Sequence, residues 1–182
     1  MEILCLCGSL RRSSYNRAAL DAARGLAPAG MELRIAPLGY LPLFNPDIVE
    51  NTEVANLTHA IAHADAVLIA SPEYAHGISG PLKNALDWLV SDQTFPGMPV
   101  ALINTSPRAS HAMAALREVL TTMSANIVER ACISLPLLGS ELDAAGIADD
   151  PALAKALRDM LNELADEIRQ NPRLSAVQKR ET

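Results

Sequence analysis

Nine consecutive residues near the amino terminus concentrate anion-binding chemistry: Gly8-Ser9-Leu10-Arg11-Arg12-Ser13-Ser14-Tyr15-Asn16. They follow an apolar run, Ile3–Cys7, and precede a helical stripe. They therefore open a helix whose first N–H groups have no carbonyl partner within the helix. Such N–H groups, together with hydroxyls, an amide and guanidinium groups, are what a phosphate takes. Residues 1–35 carry five Arg against three Asp and Glu, a local surplus in a chain of formal charge −6. The alternative reading is an ordinary serine-capped helix with surface arginines. Neither G-x-G-x-x-G nor G-x-x-x-x-G-K-[ST] is present here, so the loop is not built for a pyrophosphate or as a P-loop. A phosphate monoester held by side chains and one helix end fits, and flavin mononucleotide (FMN) is such a ligand.

A second loop, Ser71-Pro72-Glu73-Tyr74-Ala75-His76-Gly77-Ile78-Ser79-Gly80-Pro81, has two glycines and two prolines in eleven residues. That composition makes a tight turn, and Pro81 suits the first turn of the next helix. Tyr74 offers a flat face. The chain has six aromatic residues, Tyr15, Tyr40, Phe44, Tyr74, Trp88 and Phe95. Tyr15, Tyr40, Phe44 and Tyr74 are expected on or beside one rim, where they would stack a planar ligand. A third loop, Asn104-Thr105-Ser106-Pro107-Arg108-Ala109-Ser110, forms the remaining wall. His59 and His63 have a metal-capable spacing, but no acid or cysteine cluster joins them, and a solvated helix face is expected. His76 and His111 lie on or near the crevice loops as plain loop residues or donors to a substrate oxygen. Cys5 and Cys7 read as buried strand residues rather than redox or metal ligands.

The elements that position these loops follow from periodicity. Ile3–Cys7, Ala66–Ala70 and Val100–Ile103 are almost wholly apolar, as central parallel strands covered on both faces are. Leu33–Ile35 and Glu129–Leu135 alternate or carry charge, as edge strands do. Between them run stripes stepping by three or four: Ala19–Leu26, Val54–Ala64, Leu82–Leu89, Met113–Met123 and Leu153–Ile168. Strict alternation of strand and helix gives an α/β doubly wound sheet. Of the two common strand orders, 2-1-3-4-5 puts the two charged strands at the edges. The expected fold is therefore a flavodoxin-like five-stranded parallel sheet with helices on both faces. Its crevice lies where the carboxyl ends of strands 1 and 3 meet. Residues 1–170 are expected to form one domain, and 171–182 a frayed tail beyond it.

Length and charge bound the function. At 182 residues and 49% hydrophobic content the chain forms an ordinary core without a disulfide staple. Net charge −6 disfavours nucleic acid and acidic membrane surfaces as partners. No apolar stretch is long enough to span a bilayer. Three cysteines without C-x-x-C spacing, and no basic n-region before Gly8, point to a reducing cytoplasm.

Gly8-Ser9-Leu10-Arg11 with Ser14 and Asn16, then Pro72-Glu73-Tyr74 and Lys83-Asn84-Ala85-Leu86-Asp87-Trp88, resemble the NADPH-dependent FMN reductase family. That family includes bacterial quinone, chromate and azo-dye reductases, and the similarity spans most of residues 1–170. The resemblance implies bound FMN, with Ser9, Arg11, Ser14 and Asn16 on the phosphate. It implies that Pro72, Glu73 and Tyr74 line the isoalloxazine largely through backbone, with Ser106 on the third wall. It implies hydride transfer from NADPH or NADH to FMN, then electron transfer to a small acceptor such as a quinone, and a homodimer or homotetramer. Trp88, Phe95, Met98 and the apolar 37–48 loop are expected to supply the association surface. The chain departs from the family where Ala75-His76 replaces the usual Asn after Pro-Glu-Tyr, and where Pro107-Arg108-Ala109-Ser110 replaces paired glycines. Two other classes fit the residues: an FMN-bearing electron carrier without an NAD(P)H site, and a flavin-free interaction module.

Overall fold

The computed structural model describes residues 1–172; the expected tail lies, from residue 173 on, outside the described residues. The chain runs β1 (Glu2–Cys7), α1 (Tyr15–Gly25), β2 (Glu32–Ile35), α2 (Thr52–His63), β3 (Ala66–Ala70), then a small hairpin, β4 (Glu73–Tyr74) and β5 (Gly77–Ile78). It continues α3 (Gly80–Leu89), β6 (Pro99–Asn104), α4 (Ser110–Thr122), β7 (Asn126–Ile127), β8 (Ile133–Ser134), α5 (Ala144–Asp149) and α6 (Pro151–Gln170).

The sheet is parallel, in the order β2-β1-β3-β6, with β7 and β8 both on the outer edge of β6. Its central strands carry apolar residues on both faces because both faces are covered. In β1, Ile3, Cys5 and Cys7 join the core beneath α1 and α6. Leu4 and Leu6 join the core beneath α2, α3 and α4. β3 and β6 alternate in the same way.

The outer strand expected at 129–135 is instead two short strands that begin earlier, at Asn126, and end at Ser134; the first three residues of the expected range are a turn. β7 pairs at Pro99 and Val100, β8 at Ile103 and Asn104, and a 3-10 turn at Glu129–Ala131 bulges out between them. The charged pair Glu129-Arg130 sits in that turn, where water and ion partners are available. Arg130 reaches Glu163 and Glu167 of α6 at 2.8 Å each. Glu167 is buried and also accepts from Asn126 and Asn171; these donors, Asn171 foremost, hold its carboxyl below the usual glutamate range. The split edge is thereby tied to the last helix.

Helix starts follow capping chemistry. Ser14, Asn51, Asp143 and Asp150 each accept a first-turn N–H of the helix that follows. Phe95 and Met98, expected on an association surface, are instead fully buried against the α3–β6 core. A loop that must return from α3 to a central strand has no route except over that core, and its apolar residues drop into it.

Candidate functional site

The carboxyl ends of β1, β3 and β6 open into a cleft of about 700 Å³. Its walls are the three loops singled out in the sequence. Ser9, Arg11, Ser14 and Asn16 come from the first, Pro72, Glu73 and Tyr74 from the second, and Ser106 from the third. The structure therefore gathers every selected residue at one place. A fourth wall, Leu138, Glu141 and Leu142 ahead of α5, has no counterpart in the sequence reading. The Tyr15 hydroxyl fastens it by accepting the Glu141 N–H at 3.2 Å.

The first loop uses its acceptors inward. Ser9 Oγ accepts the Arg11 N–H at 3.4 Å, and Ser14 Oγ caps α1 by accepting the Arg17 N–H at 3.4 Å. Asn16 is buried, and its Oδ1 accepts the Thr105 hydroxyl at 3.0 Å. What each group retains for a ligand is a donor: two hydroxyl protons and an amide NH₂. Twelve Lys and Arg side chains lie among the described residues, and eight of them sit in ion pairs. The other four are Arg11, Arg12, Arg108 and Arg158, of which the first three line the cleft. A donor-rich loop beside uncompensated guanidinium groups suits a phosphate monoester.

Gly8 turns the chain out of β1 by close approach. A Cβ there would stand 2.1 Å from Ser71 Oγ and 2.6 Å from Ser79 Oγ. Those two hydroxyls are bonded to each other at 3.1 Å, and Ser79 is fully buried. The contact locks the first and second loops together at the base of the cleft.

The second loop is a hairpin, with Glu73 opposite Ile78 and Tyr74 opposite Gly77. Its two turn residues, Ala75 and His76, both lie in the left-handed region, at φ 48° and 59°. Tyr74 is half exposed at the cleft. The Glu73 side chain turns toward α4, where its carboxylate accepts the Ala112 N–H at 2.8 Å and His76 Nδ1–H at 3.0 Å. The Ala112 N–H foremost, then the neighbouring imidazoles, hold that carboxyl below its ordinary range.

Two expectations about side chains change. Phe44 leaves the rim and packs edge-on against Trp88 at 5.0 Å. Tyr40 does not line the cleft but borders an adjoining depression that shares Ser9, Arg11 and Arg12 with it. The 37–48 loop is strapped to α3: Asn84 Oδ1 accepts the Phe44 N–H, while Asn84 Nδ2 and Trp88 Nε1 both donate to the Pro42 carbonyl. Cys5 and Cys7 are buried in β1, as expected. Burial pushes the Cys5 thiol up to about 12 and raises Cys7 and Cys132 as well, so all three stay protonated near neutrality. His59 and His63 stack at 4.0 Å on the exposed face of α2, and no metal-holding cluster occurs among the described residues. They border a second groove of about 620 Å³ between α2 and the β1–β2 edge, whose floor is apolar.

A doubly wound parallel sheet in the order β2-β1-β3-β6, with its cleft at the carboxyl ends of the central strands, is the flavodoxin-like class of fold. Within that class the chain belongs to the NADPH-dependent FMN reductase family, whose profile matches residues 1–137. It is 34% identical over 161 residues to an NAD(P)H-dependent FMN reductase of Pseudomonas aeruginosa, covering 84% of this chain and 87% of that protein. It is 33% identical over 141 residues to a quinone reductase of Escherichia coli, covering 71% and 74%. The structure resembles the flavoenzyme NAD(P)H:acceptor oxidoreductase FerB of Paracoccus denitrificans, with TM-score 0.79 and 29% identity over 93% of this chain and 97% of that one. No helix among the described residues is long and apolar enough to cross a membrane.

Proposed function

We propose that this chain is an FMN-dependent NAD(P)H oxidoreductase that delivers electrons to a small acceptor such as a quinone, and that the Ser9–Asn16 loop holds the flavin phosphate. The observation that carries the assignment is the direction of hydrogen bonding in that loop. Its acceptors face inward and its donors remain for an anion. FMN, when bound, supplies the redox chemistry between nicotinamide and acceptor. The protein supplies position. Arg11 gives the fixed charge, Ser9, Ser14 and Asn16 orient the phosphate, and Pro72, Glu73 and Tyr74, largely through their backbone, border the ring together with Ser106. Replacing Arg11 by Ala removes a charged hydrogen-bond donor, worth about 1.5–3 kcal/mol. FMN affinity should fall by roughly ten- to more than a hundredfold, while riboflavin, which lacks the phosphate, should barely respond. Fluorescence titration of both flavins measures this. Equal losses for the two, or none for either, would overturn the phosphate site.

The proposal extends to assembly and location. Residues 1–170 act as one domain, since α6 packs through Ile168 into the core that β1 floors. The chain works as a homodimer or homotetramer. The strapped loop and the residues after it hold Tyr40, Leu43 and Val49 in water at 77%, 84% and 92% exposure, which is an apolar surface fixed in place before any partner arrives. Light scattering at micromolar concentration should give at least twice the chain mass, and a single-chain mass would refute it. Three free cysteines fit a reducing cytoplasm.

A further inference from the structure

Glu73 was selected as a residue beside the ring, yet its carboxylate is engaged elsewhere. It is one-tenth exposed and holds two partners on different elements: the His76 ring in the hairpin turn and the Ala112 N–H in the first turn of α4. His111, next to Ala112, presses edge-on against His76 at 4.6 Å. The hairpin carries Pro72 and Tyr74 on one wall of the cleft. The segment leading into α4 carries Ser106 and Arg108 on another. One carboxylate therefore joins two walls. Beneath it, Ile78 of the hairpin and Ala112 and Met113 of α4 line one small, largely apolar gap, and Ile78 and Met113 both pack on the core between α3 and α4.

The turn itself explains why such a tie is needed. Both turn residues are left-handed, and neither is Asn or Gly, the residues that tolerate that region best. A two-residue loop under this strain persists when its surroundings over-determine it. His76 is fixed through its ring, and Glu73 is the group that fixes it.

We propose that Glu73 is a positioning residue: its carboxylate clasps the β4–β5 hairpin to the start of α4 and so sets the gap into which the isoalloxazine ring fits, without itself contacting the ring. The inference rests on the flavin reading above. Because the clasp acts on the ring and not on the phosphate, its loss affects FMN and riboflavin alike, the opposite pattern to Arg11.

The test compares Glu73→Ala with Glu73→Gln. Glutamine can still accept from the Ala112 N–H, and its amide can donate to the other tautomer of His76, so it keeps both links without the charge. Hydrogen exchange on the flavin-free protein should show faster exchange at Ala112 and across residues 73–78 in Glu73→Ala, with Glu73→Gln close to wild type. FMN and riboflavin affinities should both fall, by the same factor, in Glu73→Ala, because the gap is no longer held before the ring enters, and both should recover in Glu73→Gln. If Glu73→Ala fails to fold, His76→Ala, which cuts one arm and leaves the Ala112 link, should show the same equal response of both flavins at smaller size. Unchanged exchange, a loss for FMN alone, or a Glu73→Gln variant as weak as Glu73→Ala would overturn the clasp. A wild-type protein that binds neither flavin would instead refute the flavin reading on which it rests.

Discussion

At Gly8 the backbone passes so close to Ser71 and Ser79 that a methyl group would lie inside the Ser71 side chain. Gly8→Ala must displace Ser71 and disturb the part-buried Ser71–Ser79 hydroxyl bond, since the new methyl group would overlap both hydroxyls. Overpacking of this kind, with a disturbed hydrogen bond, costs about 1–3 kcal/mol. For a domain of this size that is a fall in Tm of about 2–4 °C for each kcal/mol. A thermal melt of Gly8→Ala that matches wild type would show that the two loops are not locked there. The sequence marks Gly8 as the start of a loop but not as a contact, because both of its partners lie far along the chain. The same holds for Thr105. Its hydroxyl orients Asn16, and nothing in the linear order links the two. The residues that the structure gathers at the cleft were legible by type and spacing, whereas residues that orient them, such as Thr105, were not.

The hairpin is the element that periodicity could not find. Each of its strands has two residues, too short for any alternation to register. What the sequence did carry was punctuation, the glycines and prolines of residues 71–81, and a departure at Ala75 from the family's usual Asn. The structure gives that departure a physical meaning. Ala75 stands at φ 48°, where a β-carbon crowds the following carbonyl at a cost of about 1–2 kcal/mol relative to right-handed backbone. Asparagine tolerates this region better. Ala75→Asn should therefore stabilise the protein by up to about 1 kcal/mol, a gain in Tm of about 2–4 °C. A melt in which the variant is equal or less stable would mean that the turn is not strained. The broken outer strand is a second case. The sequence read 129–135 as one edge strand because charge and apolar residues mix there, and the same charges are why residues 129–131, at its start, turn toward water and α6 between β7 and β8.

For the whole molecule, the strand order was legible because burial on both faces leaves an unmistakable composition in β1, β3 and β6. Charge is organised on the same scale. The chain is net negative, yet Arg11, Arg12 and Arg108 stand at the cleft without an ion pair among the described residues. The acids nearby are in part engaged: Asp21 by Arg17 and Arg24, Glu73 by Ala112 and His76, and Asp143 as the cap of α5. Four arginines line the cleft, Arg11, Arg12, Arg17 and Arg108, against four carboxylates, Asp21, Glu73, Glu141 and Asp143, so it is neutral in sum on an acidic body, and its unpaired arginines attract an anion locally in proportion to its charge. One phosphate on FMN engages Arg11 in the present assignment, leaving Arg12 and Arg108 for an incoming substrate. NADPH differs from NADH by a 2′-phosphate that adds about 1.5–2 negative charges near neutral pH. The value of kcat/KM for NADPH should therefore fall with salt more steeply than that for NADH. The contrast should be clear between about 0.01 and 0.3 M salt, as the screening length shrinks from about 30 Å to below 10 Å. Arg108→Gln and Arg12→Gln should each flatten the NADPH slope toward the NADH slope and leave the latter nearly unchanged. Stopped-flow measurement of flavin reduction with both nucleotides across a salt series reads all of these slopes. Parallel slopes in the wild-type protein would mean that the unpaired arginines do not act on the nicotinamide substrate.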